Sequence, residues 1–256
     1  MNYFLAILAG SVQGLTEFLP VSSTGHLIIF EKIFGISQQE FGLAFDASLH
    51  LGTLAAILIF FYKDYIKLLS FKNSQLLKLI VATIPAAIFG LLFESKIESS
   101  FRELWLIGVA LIVFSFVIIA AEAIGKKLKS RDKLTKVDAF VIGLFQSLAL
   151  IPGVSRSGST IAAGLFLGLK REEAAKFAFI LSGPIVAGAG LKKFLEVSTH
   201  VSATDFGFFI VGIVSSAIFG FLTIKYFLKY LSSANLYPFV VYRLVLGIIL
   251  LLVSLR

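Results

Sequence analysis

Two long stretches of this chain carry no charge, and they limit its possible folds more than any other feature. They are Leu104–Ala121 and Phe206–Ile224. As a helix, each is long enough to cross a bilayer core of roughly 30 Å. Long unbroken apolar stretches also argue against a membrane barrel, whose strands alternate in short segments. The pattern therefore predicts an integral membrane protein built from helices.

Composition and charge exclude several other classes of protein. Hydrophobic residues make up 58% of the chain and charged residues 15%, whereas soluble domains carry about 25% charged residues. The absence of cysteine excludes disulfides and thiol chemistry. The net charge of +8 comes from cations placed between the apolar stretches, with no basic face and interleaved aromatics, so nucleic acid is not an expected partner. The first residues lack a basic region and a cleavage site, which favours mature protein over a secretory signal.

Basic residues also indicate how the chain is oriented. Dense positive charge at 126–136 and again at 170–176 marks the cytoplasmic side of a membrane. The apolar segment between these two stretches is broken around Pro152, and neither half is long enough to span a bilayer. It must then enter and leave on the same side. Such a re-entrant helix pair requires its turn to be buried in protein or to face water.

A second broken segment, 3–34, is related to this one. Gly10, Gln13, Leu15, Ser22 and Gly25 each recur 133 positions later. We therefore expect an all-α polytopic protein with two inverted-topology repeats and a site at their interface, a common transporter plan. Each repeat has a re-entrant pair and three spanning helices, six spans in all. Repeat one is 1–125, with the pair 3–34 and spans 41–62, 77–94 and 104–124; repeat two is 137–256, with the pair 137–169 and spans 172–192, 206–231 and 237–255.

The turn of the second pair, 152–160 (PGVSRSGST), places Arg156 among hydroxyls where a new helix begins. An arginine at membrane depth is costly, so it needs a partner or a function. The free amides of a helix start suit an anion, and a guanidinium fork matches phosphate geometry. The residues therefore favour a phosphate site that includes Ser155, Ser157 and Thr160. The alternative is close packing, with Arg156 paired to Glu17.

The turn of the first pair, 13–26 (QGLTEFLPVSSTGH), carries groups that a hydrolase would use. Glu17, with Gln13 as a neutral oxygen ligand, could hold Mg²⁺ bridging to phosphate. Ser22, Ser23 and Thr24 lie in the turn. His26 is placed to act as acid, base or nucleophile, which leaves three candidates for the attacking group: Ser23, His26 or water.

Three further polar residues lie inside apolar stretches. Asp46 and His50 share one face of the span 41–62 and are expected to line the site as outer residues. Arg243 lies in the last span, where snorkelling or a structural pairing is expected.

Both turns, together with 45–53 (FDASLHLGT), closely resemble the signatures of the undecaprenyl-diphosphate phosphatase family, the bacitracin-resistance type. The resemblance covers nearly the whole chain. It implies a multi-pass protein of the bacterial cytoplasmic membrane that removes the terminal phosphate from undecaprenyl diphosphate and so recycles the lipid carrier for peptidoglycan and other cell-wall polymers. It also implies a divalent cation, Mg²⁺ or Ca²⁺, and a site open to the extracytoplasmic side.

By position, the family's acidic pair falls on Gln13 and Glu17, its serine on Ser23, its histidine on His26 and its arginine on Arg156. Glutamine at the first of these positions weakens the case for two carboxylates on the metal. A polyprenyl-phosphate flippase or a phosphate transporter remains the alternative, because it would use the same inverted-repeat site. The expected partners are the polyprenyl diphosphate and membrane lipid, with a homodimer left open.

Overall fold

The computed structural model describes residues 2–36, 43–68, 74–198 and 203–255. These residues form eleven α-helices and, within the described ranges, no strand beyond one isolated bridge. The helices are α1 Tyr3–Phe18, α2 Ser23–Phe34, α3 Leu43–Phe60, α4 Tyr62–Leu68, α5 Ser74–Ser100, α6 Leu104–Ile124, α7 Lys136–Leu148, α8 Arg156–Phe166, α9 Arg171–Ser198, α10 Ala203–Leu231 and α11 Tyr237–Ser254.

Four helices are long and apolar enough to cross a membrane, namely parts of α5 and α10 and all of α6 and α11. The pair α3 and α4 would be a fifth span, but it bends by 77° at Phe61. The predicted span 41–62 thus becomes a broken one, and its first two residues lie outside the described part of the chain. The predicted span 172–192 falls in α9, which begins with charged residues and contains Pro184. Among the described residues, α9 is not one of the helices that are long and apolar enough to cross a membrane.

The packing of the helices follows one pattern twice. Helix α1 packs on α10 and pairs with α2. The corresponding helix α7 packs on α5 and pairs with α8. Gly10 lies against the backbone of Gly212, and its counterpart Gly143 lies against the backbone of Ala82. A side chain at either glycine would collide with a carbonyl oxygen, so the absence of a Cβ permits these close approaches.

The two broken segments turn at matched serine residues, both with positive φ. Ser22 caps α2 with φ 75°, and Ser155 caps α8 with φ 77°. Positive φ is uncommon for residues other than glycine. Each serine hydroxyl accepts a hydrogen bond from an amide three residues later, that of Gly25 or Gly158. This bond satisfies one of the free amides at each helix start.

Arg243 of α11 holds the two turns together. Its side chain is fully buried, so it does not snorkel. One guanidinium nitrogen donates to the Pro20 carbonyl at 3.1 Å, and another donates to the Gly153 carbonyl at 3.0 Å. Further bonds reach the Leu111 carbonyl and the Ser115 hydroxyl of α6. The described acceptors of this cation are thus neutral carbonyl and hydroxyl oxygens on three segments.

We expect Arg243→Lys to lower the free energy of unfolding by about 3 kcal/mol, because an ammonium cannot reach all of these acceptors and leaves buried carbonyls without donors. Thermal unfolding of the detergent-purified protein measures the change. Arg131→Lys is the matched control, since its ion pair with Asp64 is partly exposed and such pairs contribute little. An Arg243→Lys protein as stable as the control would contradict the bridging role.

Candidate active site

The turn between α1 and α2 contacts the turn between α7 and α8 directly. The Ser22 hydroxyl accepts a hydrogen bond from the Gly153 amide at 3.1 Å. In the opposite direction, the Ser157 hydroxyl donates to the Leu19 carbonyl at 2.8 Å. All of the sequence-predicted residues in the two turns therefore lie near one junction, where the chain is broken and polar backbone groups face each other.

Glu17 is the charged centre of this junction. It is 7% exposed and lies in the last turn of α1. Its Oε2 accepts hydrogen bonds from the Ser23 hydroxyl at 2.6 Å and from Gln13 Nε2 at 3.0 Å. Its Oε1 lies 3.6 Å from Arg156 Nη2. The carboxylate thus joins one predicted nucleophile, one predicted metal ligand and the predicted phosphate-binding arginine.

Arg156 keeps one donor without a partner. Its Nη1 is buried and makes no hydrogen bond, although buried polar atoms are nearly always paired. The side chain is 24% exposed as a whole, so the guanidinium lies at the edge of the site. A guanidinium with one terminal nitrogen near Glu17 and the other unpaired is suited to donate a hydrogen bond to an oxygen anion.

The hydroxyls around Arg156 divide into two groups. Ser157 and Thr160 donate to backbone carbonyls, those of Leu19 and Arg156. They stabilise the turn rather than face the site. Ser159 likewise donates to the Arg156 carbonyl. Ser155 and the hydroxyl residues of the first turn instead line a small polar pocket that also includes the charged groups. This pocket is lined by Glu17, Ser22, Ser23, Thr24, Ala149, Ile151, Pro152, Ser155 and Arg156.

Gln13 and His50 complete the polar cluster behind Glu17. Gln13 Nε2 lies 2.9 Å from His50 Nδ1, and that nitrogen is 3.7 Å from Glu17 Oε2. Gln13 Oε1 is buried and has no hydrogen-bond partner. Hard cations bind oxygen ligands such as this unpaired amide oxygen and the neighbouring carboxylate.

His26 does not contact Ser23. Its Nδ1 bonds the Ser22 carbonyl at 2.7 Å, which directs the ring along α2. Its Nε2 lies 2.6 Å from the Tyr242 hydroxyl, and the two rings stack at 5.6 Å. The structure therefore pairs Ser23 with Glu17 instead of His26. Tyr242 itself was missed from the sequence, because nothing in an apolar last helix indicates a contact 216 residues away.

Asp46 has different charged neighbours from His50, which joins the cluster around Glu17. Its carboxylate is 3.6 Å from Arg102, which also lies 3.4 Å from Glu31. One helical turn separates Asp46 from His50, and that distance is enough to direct the two side chains to different neighbours.

Comparison with known proteins places the chain in a family. A sequence model described as "Bacitracin resistance protein BacA" matches residues 6–249. Among curated relatives, proteins called undecaprenyl-diphosphatase are similar over nearly their full length. That of Thermodesulfovibrio yellowstonii is 46% identical, covering 97% of this chain and 96% of the relative. That of Caldicellulosiruptor bescii is 44% identical (98% and 97%), and that of Mycolicibacterium smegmatis 45% (98% and 96%). With matches this long, the chain belongs to the family of the bacitracin resistance protein BacA.

Proposed function

We propose that this chain is an integral-membrane undecaprenyl-diphosphate phosphatase. It hydrolyses undecaprenyl diphosphate to undecaprenyl phosphate and inorganic phosphate, recycles the carrier lipid for peptidoglycan and other cell-wall polymers, and thereby confers resistance to bacitracin. Family membership and the names of the relatives support this activity. The observation that carries it in the structure is that Arg156, whose Nη1 has no partner, lines the same pocket as the hydrogen-bonded Ser23 and Glu17.

Arg156 binds the diphosphate. Its free Nη1 donates to a phosphoryl oxygen, and the positive guanidinium stabilises the negative charge of the transferring group. Such positioning and charge stabilisation account for most of the catalysis in phosphoryl transfer. The amides and hydroxyls of the turn, including those of Ser155 and Thr24, complete the contacts on the pocket side.

Ser23 is the nucleophile in this proposal, and Glu17 is its base. The Ser23 hydroxyl already donates to the carboxylate at 2.6 Å. As Ser23 Oγ bonds to the terminal phosphorus, its proton passes to Glu17 and the bond from phosphorus to the bridging oxygen breaks. Polyprenyl monophosphate leaves. Water oxygen then bonds to the phosphoserine phosphorus as the bond to Ser23 Oγ breaks. Glu17 returns its proton to Ser23 Oγ, the proton lost by water passes to solvent, and inorganic phosphate is released.

His26 acts as a positioning residue in this scheme. Both of its ring nitrogens are engaged, one by the Ser22 carbonyl and the other by Tyr242. These bonds fix the first turn of α2, which begins at Ser23. They hold the nucleophile near Glu17 and join α2 to α11.

The residues present fit a divalent cation, Mg²⁺ or Ca²⁺. Glu17 and the unpaired Gln13 Oε1 would hold it. When bound, the cation would neutralise part of the phosphate charge. Within the described part of the chain, no group of three His, Cys, Asp or Glu residues is close enough for a metal. Substrate oxygens would therefore supply much of the coordination, as is usual for Mg²⁺.

The site opens to the extracytoplasmic side of the bacterial cytoplasmic membrane in this proposal. The second turn packs against Ile107, near the start of α6, while the basic segment 126–136 follows the other end of that helix. Basic loops mark the cytoplasm. The two ends of α6 lie about 30 Å apart at 1.5 Å per residue, so the turns lie far from the basic side.

Six spans in two inverted repeats form part of the same proposal. The matched packing of α1 on α10 and α7 on α5 supports this arrangement, as do the equal φ angles of Ser22 and Ser155. The broken α3–α4 pair and α9 provide the fifth and sixth spans. The α3–α4 pair is long and apolar enough only when its two bent halves are taken together. Helix α9 begins with charged residues and contains Pro184.

The decisive measurement is release of inorganic phosphate from undecaprenyl diphosphate by the purified protein in detergent. A flippase or phosphate transporter would bind the headgroup without releasing phosphate.

We expect Arg156→Lys to reduce turnover roughly 10²–10³-fold, because lysine keeps the charge but loses the planar, two-pronged guanidinium. Arg171→Lys is the matched control, since Arg171 forms its two-pronged contact with Glu122, outside the pocket. Wild-type turnover by Arg156→Lys would disprove the role given to this guanidinium.

Ser23 is tested by trapping the covalent enzyme. We expect acid quenching during turnover of a substrate labelled in its terminal phosphate to leave acid-stable label on Ser23, because phosphoserine resists acid. Ser23→Ala should lose both label and turnover, whereas Ser11→Ala on the same re-entrant pair should keep both. Acid-labile label on His26 would instead identify the histidine as the nucleophile.

The cation is tested by chelation and by a second carboxylate. We expect chelator to abolish phosphate release and added Mg²⁺ or Ca²⁺ to restore it.

Gln13→Glu should lower the concentration of Mg²⁺ needed for half-maximal turnover several-fold, because a carboxylate binds a hard cation more strongly than an amide oxygen. Gln75→Glu, remote from the pocket, should leave that concentration unchanged. An unaltered Mg²⁺ requirement in Gln13→Glu would argue against Gln13 as a ligand.

A further inference from the structure

His50 lies beside Gln13 in the polar cluster, and the hydrogen bonds of Gln13 determine what the histidine does there. Gln13 is fully buried, and its side-chain nitrogen Nε2 has two hydrogens to donate. Nε2 lies 3.0 Å from Glu17 Oε2 and 2.9 Å from His50 Nδ1, so each hydrogen has one partner. The Gln13 carbonyl oxygen, Oε1, makes no hydrogen bond.

These contacts assign the position of the proton on the His50 ring. An amide nitrogen only donates hydrogen bonds, so His50 Nδ1 must be the acceptor. The ring is therefore neutral and carries its proton on Nε2. In this state the 3.7 Å approach of His50 Nδ1 to Glu17 Oε2 is not an ion pair. The histidine acts on the carboxylate's neighbour, the Gln13 amide, instead.

We propose that His50 is a positioning residue that holds the Gln13 amide with its carbonyl oxygen available to the divalent cation. The inference rests on the proposed function, in which Glu17 and Gln13 Oε1 hold that cation. The two ends of an amide, C=O and NH₂, are similar in size, but only the oxygen has lone pairs for a metal. His50 selects which end the metal meets, because its Nδ1 accepts a hydrogen bond from NH₂ and repels C=O.

Glu17 alone would not keep this orientation throughout the proposed reaction. Its Oε2 also accepts a hydrogen bond from the Ser23 hydroxyl, at 2.6 Å, and the carboxylate takes that proton during the attack. A neutral carboxyl group is a weaker hydrogen-bond acceptor than a carboxylate. His50 Nδ1 takes no part in this proton transfer. Its bond with Gln13 therefore persists while the charge of Glu17 changes.

Close helix packing fixes the distance between the histidine and the amide. Gly10 of α1 and Gly52 of α3 lie against two consecutive carbonyls of α10, those of Gly212 and Ile213. A Cβ at either glycine would collide with the carbonyl, so both close approaches require glycine. The helices that carry Gln13 and His50 are thus held at the same level of a third helix. This common support makes His50 suited to orient a group on α1.

Two substitutions of nearly equal shape separate the acceptor of His50 from the space that it fills. Asparagine has a carbonyl oxygen at the branch position of Nδ1, whereas leucine has a methyl group there. We expect His50→Leu to raise the Mg²⁺ concentration for half-maximal turnover about tenfold, because a buried N–H without an acceptor disfavours this orientation of the amide. His50→Asn should raise it less than about threefold. Equal values for the two variants would overturn the positioning role.

A double substitution shows whether the effect passes through the amide. The two oxygens of a carboxylate are equivalent, so Gln13→Glu removes the need to select one end of the side chain. In the Gln13→Glu background, we expect His50→Leu to change the Mg²⁺ concentration for half-maximal turnover less than about twofold, since the two substitutions then fail to add. A tenfold rise in both backgrounds would overturn the proposal, because His50 would then support the site by packing.

Nitrogen-15 NMR of the metal-free protein tests the histidine without any enzyme activity. The chain has three histidines, so the ring signals that disappear in His50→Asn are those of His50. We expect its Nδ1 to be unprotonated and its Nε2 to carry the proton. A proton on Nδ1 would overturn the proposal, because that nitrogen would then donate to Gln13 Oε1 and the amide would be reversed.

Cation binding without substrate separates this inference from the proposed hydrolysis. Mn²⁺ replaces Mg²⁺ as the probe, and its binding to the substrate-free protein is followed by electron paramagnetic resonance. We expect His50→Leu to weaken Mn²⁺ binding about tenfold and His50→Asn to weaken it less than about threefold. Equal Mn²⁺ affinity in wild type and His50→Leu would overturn the inference. Absence of phosphate release in the wild type, with these affinities as expected, would refute only the proposed hydrolysis.

Discussion

The hydrogen bonds of the buried Arg243 guanidinium are the interaction on which the rest of this structure depends. The turn between α1 and α2 and the turn between α7 and α8 leave buried carbonyl groups without helical partners, and an unsatisfied buried polar group costs about 1–3 kcal/mol. Arg243 donates to one carbonyl from each turn, Pro20 and Gly153, and to α6. A charge so deeply buried would itself be costly unless hydrogen-bonded. The turn carbonyls need hydrogen-bond donors and the buried guanidinium needs acceptors. Each satisfies the other, and the two turns are held together as a result.

Fixing the turns leaves a few polar atoms unpaired, and these atoms define the chemistry. Arg156 Nη1 is a buried donor and Gln13 Oε1 a buried acceptor, each without a partner. One suits an anion and the other a cation, and Glu17 lies in contact with both residues. Most buried polar groups in a protein are satisfied. Unpaired groups of opposite character around one carboxylate fit a site that binds a metal together with a phosphate.

Much of this arrangement could be predicted from local sequence, and the remainder depends on long-range contacts. The break of each re-entrant pair was predictable because Pro, Gly and Ser interrupt an apolar pattern, and the helix 104–124 was predicted with its observed bounds. The bend at Phe61 was not, since no proline or glycine marks it. The partners of His26 and Arg243 were also missed, because spacing along the chain carries no information about residues on distant helices.

The matched turns also explain how the Ser23 hydroxyl and the Arg156 guanidinium come to line one pocket. Ser23 and Arg156 are separated by the same 133 positions as Ser22 and Ser155, and each is the first residue of its helix. A capping serine with positive φ presents the next side chain in the same way in both turns. When the turns meet face to face, both first residues point to one space. Similar backbone turns with different side chains therefore give a two-sided pocket, with the Ser23 hydroxyl on one side and the Arg156 guanidinium on the other. In the proposed mechanism, this one pair of positions separates attack from charge stabilisation.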